Sequence, residues 1–113
     1  MIRIEEFVTE EDISPFRRWF DALDEQAAAW VAIAIDRLGE GNTSNAKALV
    51  EGVSELRINR GPGYRVYFGW DGKVLVILLG GGTKKRQQND IQSALRHWRS
   101  YKVRKAAGRS GRK

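Results

Sequence analysis

The sequence of 113 residues contains no cysteine and only one histidine, His97. The lack of cysteine excludes disulfide bonds and thiolate metal sites. A lone histidine excludes mechanisms that need two histidines for acid–base catalysis. There is also no long apolar run, so no transmembrane helix is predicted. The N-terminus is too acidic for a signal peptide, and we expect a cytoplasmic protein that uses neither a metal nor another cofactor.

The charges that are present divide the chain into two unequal parts. Residues 1–40 contain ten acids and four bases, a net charge of −6, whereas residues 41–113 contain four acids and sixteen bases, a net charge of +12. The two values add to the overall +6. A basic region of this extent is typical of proteins that bind nucleic acid. Composition alone leaves open the alternative of a solubilising surface followed by a basic tail.

Three consecutive strands are predicted in the middle of the chain. Apolar and polar residues alternate over residues 53–59 and again over residues 64–68, as in strands with one covered face. Gly61-Pro62-Gly63 and Asp71-Gly72 are turn sequences that would connect these strands as hairpins. Residues 73–79 are apolar on both faces, which indicates a central strand.

Helices are predicted on both sides of this strand region. Ser14-Pro15 and Asp24 are typical helix starts, and the residues after each show apolar spacing of three and four. The same spacing predicts a last helix over residues 87–101. Residues 2–5 alternate as a short first strand, whereas residues 42–50 are expected to form an irregular connector.

These elements predict an α+β fold with the order β-α-α-β-β-β-α. We expect a small, mainly antiparallel four-stranded sheet with the helices packed on one face. Residues 1–105 would form one domain, and residues 106–113 a basic disordered tail, because the tail combines positive charge and glycine without any acid.

A basic cluster is predicted on the sheet face opposite the helices. Arg65 and Tyr67 point to that face from the middle strand, and Arg57 points to it from the preceding strand. Residues 84–86, Lys-Lys-Arg, follow the end of the last strand. Arginine and lysine in such an arrangement favour a phosphate-rich partner. Periodicity does not decide whether the cluster only binds a phosphodiester or also helps to cleave it.

Several short motifs together resemble one family of bacterial toxins. The motifs are Glu55-Leu56-Arg57, Gly63-Tyr64-Arg65-Val66-Tyr67-Phe68, Leu78-Leu79-Gly80-Gly81-Gly82-Thr83-Lys84-Lys85, Gln88, Asp90-Ile91 and Ala94. Their order and spacing resemble the RelE/ParE superfamily of type II toxin–antitoxin modules, and most closely its HigB-like branch of phage-derived Gp49-like, addiction-module killer proteins. The resemblance covers about residues 1–105 and implies the RelE/ParE-like fold.

The resemblance also implies a function. It is that of a ribosome-dependent mRNA endonuclease, or mRNA interferase, which inhibits translation without a metal ion. Its implied partners are the ribosome, mRNA and a cognate helix-turn-helix antitoxin of the HigA-like type. Two alternatives remain open: a ParE-like inhibitor of DNA gyrase, and a degenerate toxin fold that binds without catalysis.

The family pattern can be transferred to individual residues of this sequence. The catalytic candidates that it implies are Arg65, Lys84, Lys85 and Arg57. The candidates for RNA binding are Tyr67, Arg60, Arg86 and Arg96. The sequence departs from the pattern in two places, since Arg57 and Asn59 stand where RelE-type enzymes have lysines, and their catalytic tyrosine on the last helix is missing. Asp90 lies near that helix position.

Overall fold

The computed structural model describes residues 1–110 as five strands and three α-helices. In chain order the elements are β1 (Arg3–Glu6), α1 (Pro15–Asp21), α2 (Glu25–Gly39), β2 (Ala46–Val50), β3 (Val53–Ile58), β4 (Tyr64–Asp71), β5 (Leu75–Thr83), a 3₁₀ turn (Lys84–Arg86) and α3 (Gln87–Ser110). The predicted α+β class is therefore confirmed, as are the positions of the three-strand meander and of all three helices.

The strands form one mixed sheet in the order β1-β5-β4-β3-β2. Strands β2 to β5 are antiparallel neighbours, whereas β1 lies parallel to β5 at the opposite edge. The sheet has five strands rather than the predicted four, because residues 46–50 pair with β3 instead of forming an irregular connector. The connecting turn, Glu51-Gly52, has positive φ at both residues. Glutamate is unusual in such a turn, so the sequence did not reveal this hairpin.

The helices cover both faces of the sheet, which corrects the prediction that they pack on one face. Helices α1 and α2 pack on the face that contains Val76 and Leu78, and this core also includes Phe68. Helix α3 packs on the other face, over Ile77 and Leu79. Strand β5 is apolar on both faces for this reason, since each face of the strand belongs to a different core.

The two predicted helix starts are confirmed. The Ser14 hydroxyl accepts a hydrogen bond from the Arg17 amide, with Pro15 as the first helical residue. The Asp24 carboxylate accepts one from the Ala27 amide at 2.8 Å. Each side chain satisfies a backbone donor that the first turn of a helix leaves without a partner.

A tryptophan lies against a glycine on each face of the sheet. A Cβ atom at Gly81 would be 2.2 Å from the ring of Trp19 in α1, and a Cβ at Gly69 would be 2.6 Å from the ring of Trp98 in α3. The absence of a side chain at these two strand positions therefore lets the helices pack close to the sheet.

Helix α3 continues to Ser110, beyond residue 106, where the sequence predicts that the disordered tail begins. Residues 111–113 of that predicted tail lie outside the described residues. The domain boundary at residue 105 stays a prediction. In the described part of the chain, no helix has the length and apolar character needed to cross a membrane.

Candidate functional site

Polar and charged side chains gather where the end of the sheet meets the start of α3. In the strand register, Arg57 of β3 is opposite Arg65 of β4, and Glu55 is opposite Tyr67. Facing residues in neighbouring strands project from the same side of a sheet, so these four side chains share the α3 face. Gln87 and Asp90 approach them from the first turns of α3. We call these six residues the Glu55 cluster: Glu55, Arg57, Arg65, Tyr67, Gln87 and Asp90.

Glu55 is at the centre of the cluster and has no exposed surface. Its Oε1 atom accepts a hydrogen bond from Nε of Arg57 at 2.8 Å, and its Oε2 atom accepts one from Nε2 of Gln87 at 3.1 Å. Nε of Arg65 lies 3.8 Å from Oε2. A buried carboxylate is tolerated only when it is paired, so Glu55 fixes the positions of both arginines.

Arg65 lies on the predicted face, but it is buried rather than exposed. Only 7% of the residue is accessible, because α3 covers this side of the sheet. Its Nε atom is buried and has no hydrogen-bond partner in the described part of the protein. A buried guanidinium donor without a hydrogen bond destabilises the folded state. In functional sites a ligand can supply the missing hydrogen bond.

Tyr67 is fully buried in the core beneath α3. Tyr67, which the resemblance implies as an RNA-binding residue, therefore has no exposed surface in this structure. Its hydroxyl has no hydrogen-bond partner within residues 1–110. Burial raises the pKa of Tyr67 to about 12, and the negative charges of Glu55 and Asp90 act in the same direction. The phenol therefore stays protonated at neutral pH and can donate a hydrogen bond.

Asp90 lies against the β5 backbone at Gly82. A Cβ atom at position 82 would be 1.9 Å from Oδ2 of Asp90, so glycine is needed for this close approach. Oδ2 is buried without a hydrogen-bond partner in the described chain. Burial raises the pKa of the Asp90 carboxyl, while the positive charge of Arg86 opposes the increase. A carboxyl group with a raised pKa is suited to proton transfer.

The other predicted site residues lie around this cluster. The Arg57 side chain is 41% exposed. Lys84 and Lys85, in the 3₁₀ turn, are also exposed. The amide of Lys84 donates a 2.9 Å hydrogen bond to the Gly63 carbonyl, which holds the turn beside the β3–β4 loop. Exposed positive charge thus lies at Arg57 and at the end of β5, two residues beyond the strand partner of Arg65.

Three further candidates for RNA binding are exposed. Arg86 ends the 3₁₀ turn, and Arg60 lies in the β3–β4 loop with its guanidinium 5.5 Å from the Trp30 ring centre. Arg96 lies nearly two turns beyond Asp90 along α3, where it donates to the Ser93 hydroxyl at 3.1 Å. Arg96 is therefore the predicted residue farthest along α3 from the Glu55 cluster.

The chemistry available here is phosphate binding with nearby proton-transfer groups. Sequence reasoning found the basic residues but gave no role to Gln87 and only a weak one to Glu55 and Asp90. The one signal for Glu55 was an acid on the same strand face as Arg57. Within residues 1–110, no three histidine, cysteine, aspartate or glutamate side chains are grouped so that they could hold a metal ion.

Comparison with known proteins identifies a family and a relative. The family model described as "Phage derived protein Gp49-like" matches residues 18–99, which include every residue of the Glu55 cluster. A protein of Haemophilus influenzae (strain ATCC 51907 / DSM 11121 / KW20 / Rd), described as "Uncharacterized protein", is 44% identical over 80 residues. That alignment covers 70% of this chain and 81% of the relative.

Proposed function

The chain belongs to the phage-derived Gp49-like family of addiction-module killer toxins, and on this basis we propose that it is a ribosome-dependent mRNA endonuclease. The family makes it a toxin of a toxin–antitoxin module with an antitoxin partner. The cleavage of mRNA on the ribosome is the proposal. The resemblance of its motifs to the HigB-like branch of the RelE/ParE superfamily supports this more specific activity.

The observation that carries the proposal is the Arg65 guanidinium, which the buried carboxylate of Glu55 holds at ion-pair distance beside Tyr67 and Asp90. A guanidinium carries several donors in a fixed planar arrangement, which suits it to the oxygens of a phosphodiester. Lys84 and Lys85 add exposed positive charge next to it. Asp90, a candidate for proton transfer, lies near these cations at the start of α3.

The proposed reaction is an in-line attack of a ribose 2′-hydroxyl on its own 3′-phosphate. The bond between the 2′-oxygen and phosphorus forms while the bond from phosphorus to the 5′-oxygen breaks. The products are a 2′,3′-cyclic phosphate and a 5′-hydroxyl. Arg65 and one of the two lysines stabilise the negative charge that develops on the phosphoryl oxygens. Arg57 contacts the RNA backbone at the opening of the cluster.

Asp90 is the proposed proton-transfer group. In its ionised form the carboxylate accepts the proton of the attacking 2′-hydroxyl, and the departing 5′-oxygen takes up a proton from the carboxyl group or from solvent. The protonated phenol of Tyr67 lies within the same site, next to the charges of Glu55, Arg65 and Asp90. Arg57 cannot serve as the base, because a guanidinium remains protonated near neutral pH.

The proposed partners follow from the charge around the site. Arg60, Arg86 and Arg96 extend the positive surface along which mRNA would run on the ribosome. The proposed antitoxin is a small helix-turn-helix protein of the HigA-like type, which neutralises the toxin when the two are expressed together.

Induced expression in bacteria tests the proposal. Growth should stop without the antitoxin, and pulse labelling should show that protein synthesis stops before DNA synthesis. Purified toxin should cut mRNA only when ribosomes are present and should leave cyclic phosphate ends. If DNA synthesis stops first while mRNA stays intact, the protein acts as a gyrase inhibitor and the endonuclease proposal is wrong. Growth without any arrest would instead indicate a binding module.

A further inference from the structure

A second polar cavity lies outside the Glu55 cluster, between α2, the loop after it and the end of β3. Its volume is about 260 Å³. Strand β2 begins at Ala46, and the Arg57 amide donates to the Asn45 carbonyl just before it at 3.0 Å, so only the end of β3 after Arg57 has no strand neighbour at this edge. Arg57 borders the cavity and also bonds to Glu55. The cavity is therefore next to the proposed cleavage site but is not part of it.

The cavity is lined by cationic, amide, aromatic and aliphatic residues and by no aspartate or glutamate; the aliphatic ones are Ile33, Ala34, Leu56 and Ile58. The arginines are Arg37, Arg57 and Arg60, and asparagines lie at positions 42, 45 and 59. Arg37 and Arg60 form no ion pair within residues 1–110, although acids outnumber bases in the first forty residues. Unpaired arginines around a cavity without acids indicate an anionic ligand.

The aromatic group of the cavity is Trp30, which is half-buried. The Arg60 guanidinium lies 5.5 Å from the centre of its ring. Tryptophan and arginine planes are surfaces on which nucleic acid bases stack, and asparagine amides can bond to base edges. The volume of the cavity is just below the roughly 300–1,000 Å³ of pockets for drug-sized ligands. A cavity of this size can hold at most one nucleotide of an RNA chain.

One loop connects this cavity to the cleavage site. A Cβ atom at Gly61 would be 3.5 Å from the Trp30 ring, while the carbonyl of Gly63 bonds to the amide of Lys84 at 2.9 Å. The middle of the β3–β4 loop thus lies near the cavity, and its last residue contacts the lysine turn. A single strand of RNA that follows this loop would reach both places.

We propose that this cavity holds one nucleotide of single-stranded RNA next to the phosphate that is cut. The base packs against Trp30 and Arg60, and the flanking phosphate pairs with Arg37. This inference rests on the proposed function, because it assigns the cavity to the same RNA substrate. It adds Arg37, Trp30 and the asparagines to the residues that select the RNA.

Arg37→Gln and Arg18→Gln form a matched pair for testing the cavity. Both arginines are exposed residues in the last turn of a helix, so each substitution removes one exposed positive charge near a helix end. The probe is a short fluorescent oligonucleotide with 2′-O-methyl riboses, which cannot be cleaved through a 2′-hydroxyl. Fluorescence anisotropy gives its dissociation constant at several sodium chloride concentrations.

Arg37→Gln should weaken binding by about threefold to tenfold and reduce the salt slope by about 0.7, the value for one phosphate contact in a single strand. Arg18→Gln should lower the affinity by less than about twofold, since only a distant, screened charge is lost. Arg60→Gln should weaken binding as Arg37→Gln does.

Equal affinities and salt slopes for Arg37→Gln and Arg18→Gln would overturn the inference. It would also be overturned if Arg37→Gln kept its RNA affinity but escaped neutralisation by the antitoxin, because the cavity would then be a protein-binding surface. Failure of the endonuclease proposal would look different: ribosome-dependent cleavage would be missing, while the effect of Arg37→Gln on oligonucleotide binding would persist.

Discussion

At the scale of single residues, the main feature is a glutamate with no exposed surface that organises two arginines. Glu55 bonds directly to Arg57 and Gln87, and it holds Arg65 at ion-pair distance. Its burial makes the arrangement rigid, because each cation that leaves would expose an uncompensated charge to a low-dielectric environment. The proposed phosphate site is therefore positioned by a group that never contacts the RNA.

Arg65→Ala should abolish cleavage and also reduce stability. Loss of the proposed phosphate contact should lower the rate about a hundredfold. The free energy of unfolding should fall by about 1–2 kcal/mol, since Glu55 keeps two partners but loses the third positive charge. Thermal melting and a ribosome-dependent cleavage assay measure the two effects. Arg18→Ala is the control and should change neither. A cleavage rate near that of the wild type would show that Arg65 has only a structural role.

Asp90→Asn should stabilise the protein at neutral pH while it removes cleavage. The folded-state pKa of Asp90 is raised above its unfolded value by burial, so its protonated form favours folding. That contribution is present below about pH 4, the ordinary range of an aspartate, and is lost as pH rises through the folded-state pKa.

The melting temperature of Asp90→Asn should therefore exceed that of the wild type at pH 7, and the difference should shrink as the pH is lowered towards 4. Asp36→Asn is the control, because it makes the same substitution at an exposed position of α2. A wild-type protein that melts higher than Asp90→Asn at pH 7 would mean that the ionised carboxylate stabilises the fold.

At the scale of elements, α3 is fixed to the sheet by the contact between Trp98 and Gly69. A Cβ atom at position 69 would lie 2.6 Å from two atoms of the indole ring. The contact joins the backbone of β4 to the rigid ring of Trp98, and neither can shift far in a close-packed core. A methyl group at position 69 would therefore displace α3.

Gly69→Ala should lower the free energy of unfolding by about 1–3 kcal/mol, as overpacked cores do. In the double variant Gly69→Ala/Trp98→Leu, the loss of unfolding free energy should be smaller than the sum of the two single losses. The smaller leucine side chain leaves room for the alanine methyl group. Gly108→Ala is the control, because a Cβ there meets no atom within 4 Å. Denaturant unfolding measures all four variants, and additive effects of the double variant would contradict the steric argument.

Most elements could be predicted from local patterns, and those that could not depend on contacts between distant residues. Ser14 and Asp24 mark helix starts through bonds to amides three residues later, which a sequence shows directly. Strand β2 is defined by pairing with β3 across a Glu51-Gly52 turn, which lacks the usual turn residues. The placement of α3 on the second face of the sheet depends on tertiary packing and was missed.

The same limit applies to the candidate site. Alternation on β4 correctly placed Arg65 and Tyr67 on one face, opposite Val66 and Phe68. It could not show that α3 covers that face, so both residues were expected to be exposed. The pairing of Glu55 with Gln87 spans 32 positions in the sequence, and no local pattern predicts a contact of that range.

At the scale of the whole molecule, the uneven charge of the sequence becomes a division in space. Arginines around the β3–β4 loop and the lysine turn face the openings of the Glu55 cluster and of the second cavity. Acids are concentrated in the segment that forms β1, α1 and α2. An asymmetric field of this kind orients a polyanion as it approaches, and the steering weakens as salt increases.

The core beneath α3 is separate from the core beneath α1 and α2, so we expect α3 to unfold locally without the rest of the protein. Its core, around Leu95 and Trp98, is built from other side chains than the core beneath α1 and α2. Helix α3 can therefore detach in a sub-global opening that leaves the rest of the sheet protected. Its amides should exchange with deuterium sooner than those of β4 and β5. Each opening would expose Arg65 and Tyr67 to solvent, so the lifetime of the closed helix would limit how long the proposed catalytic groups stay assembled.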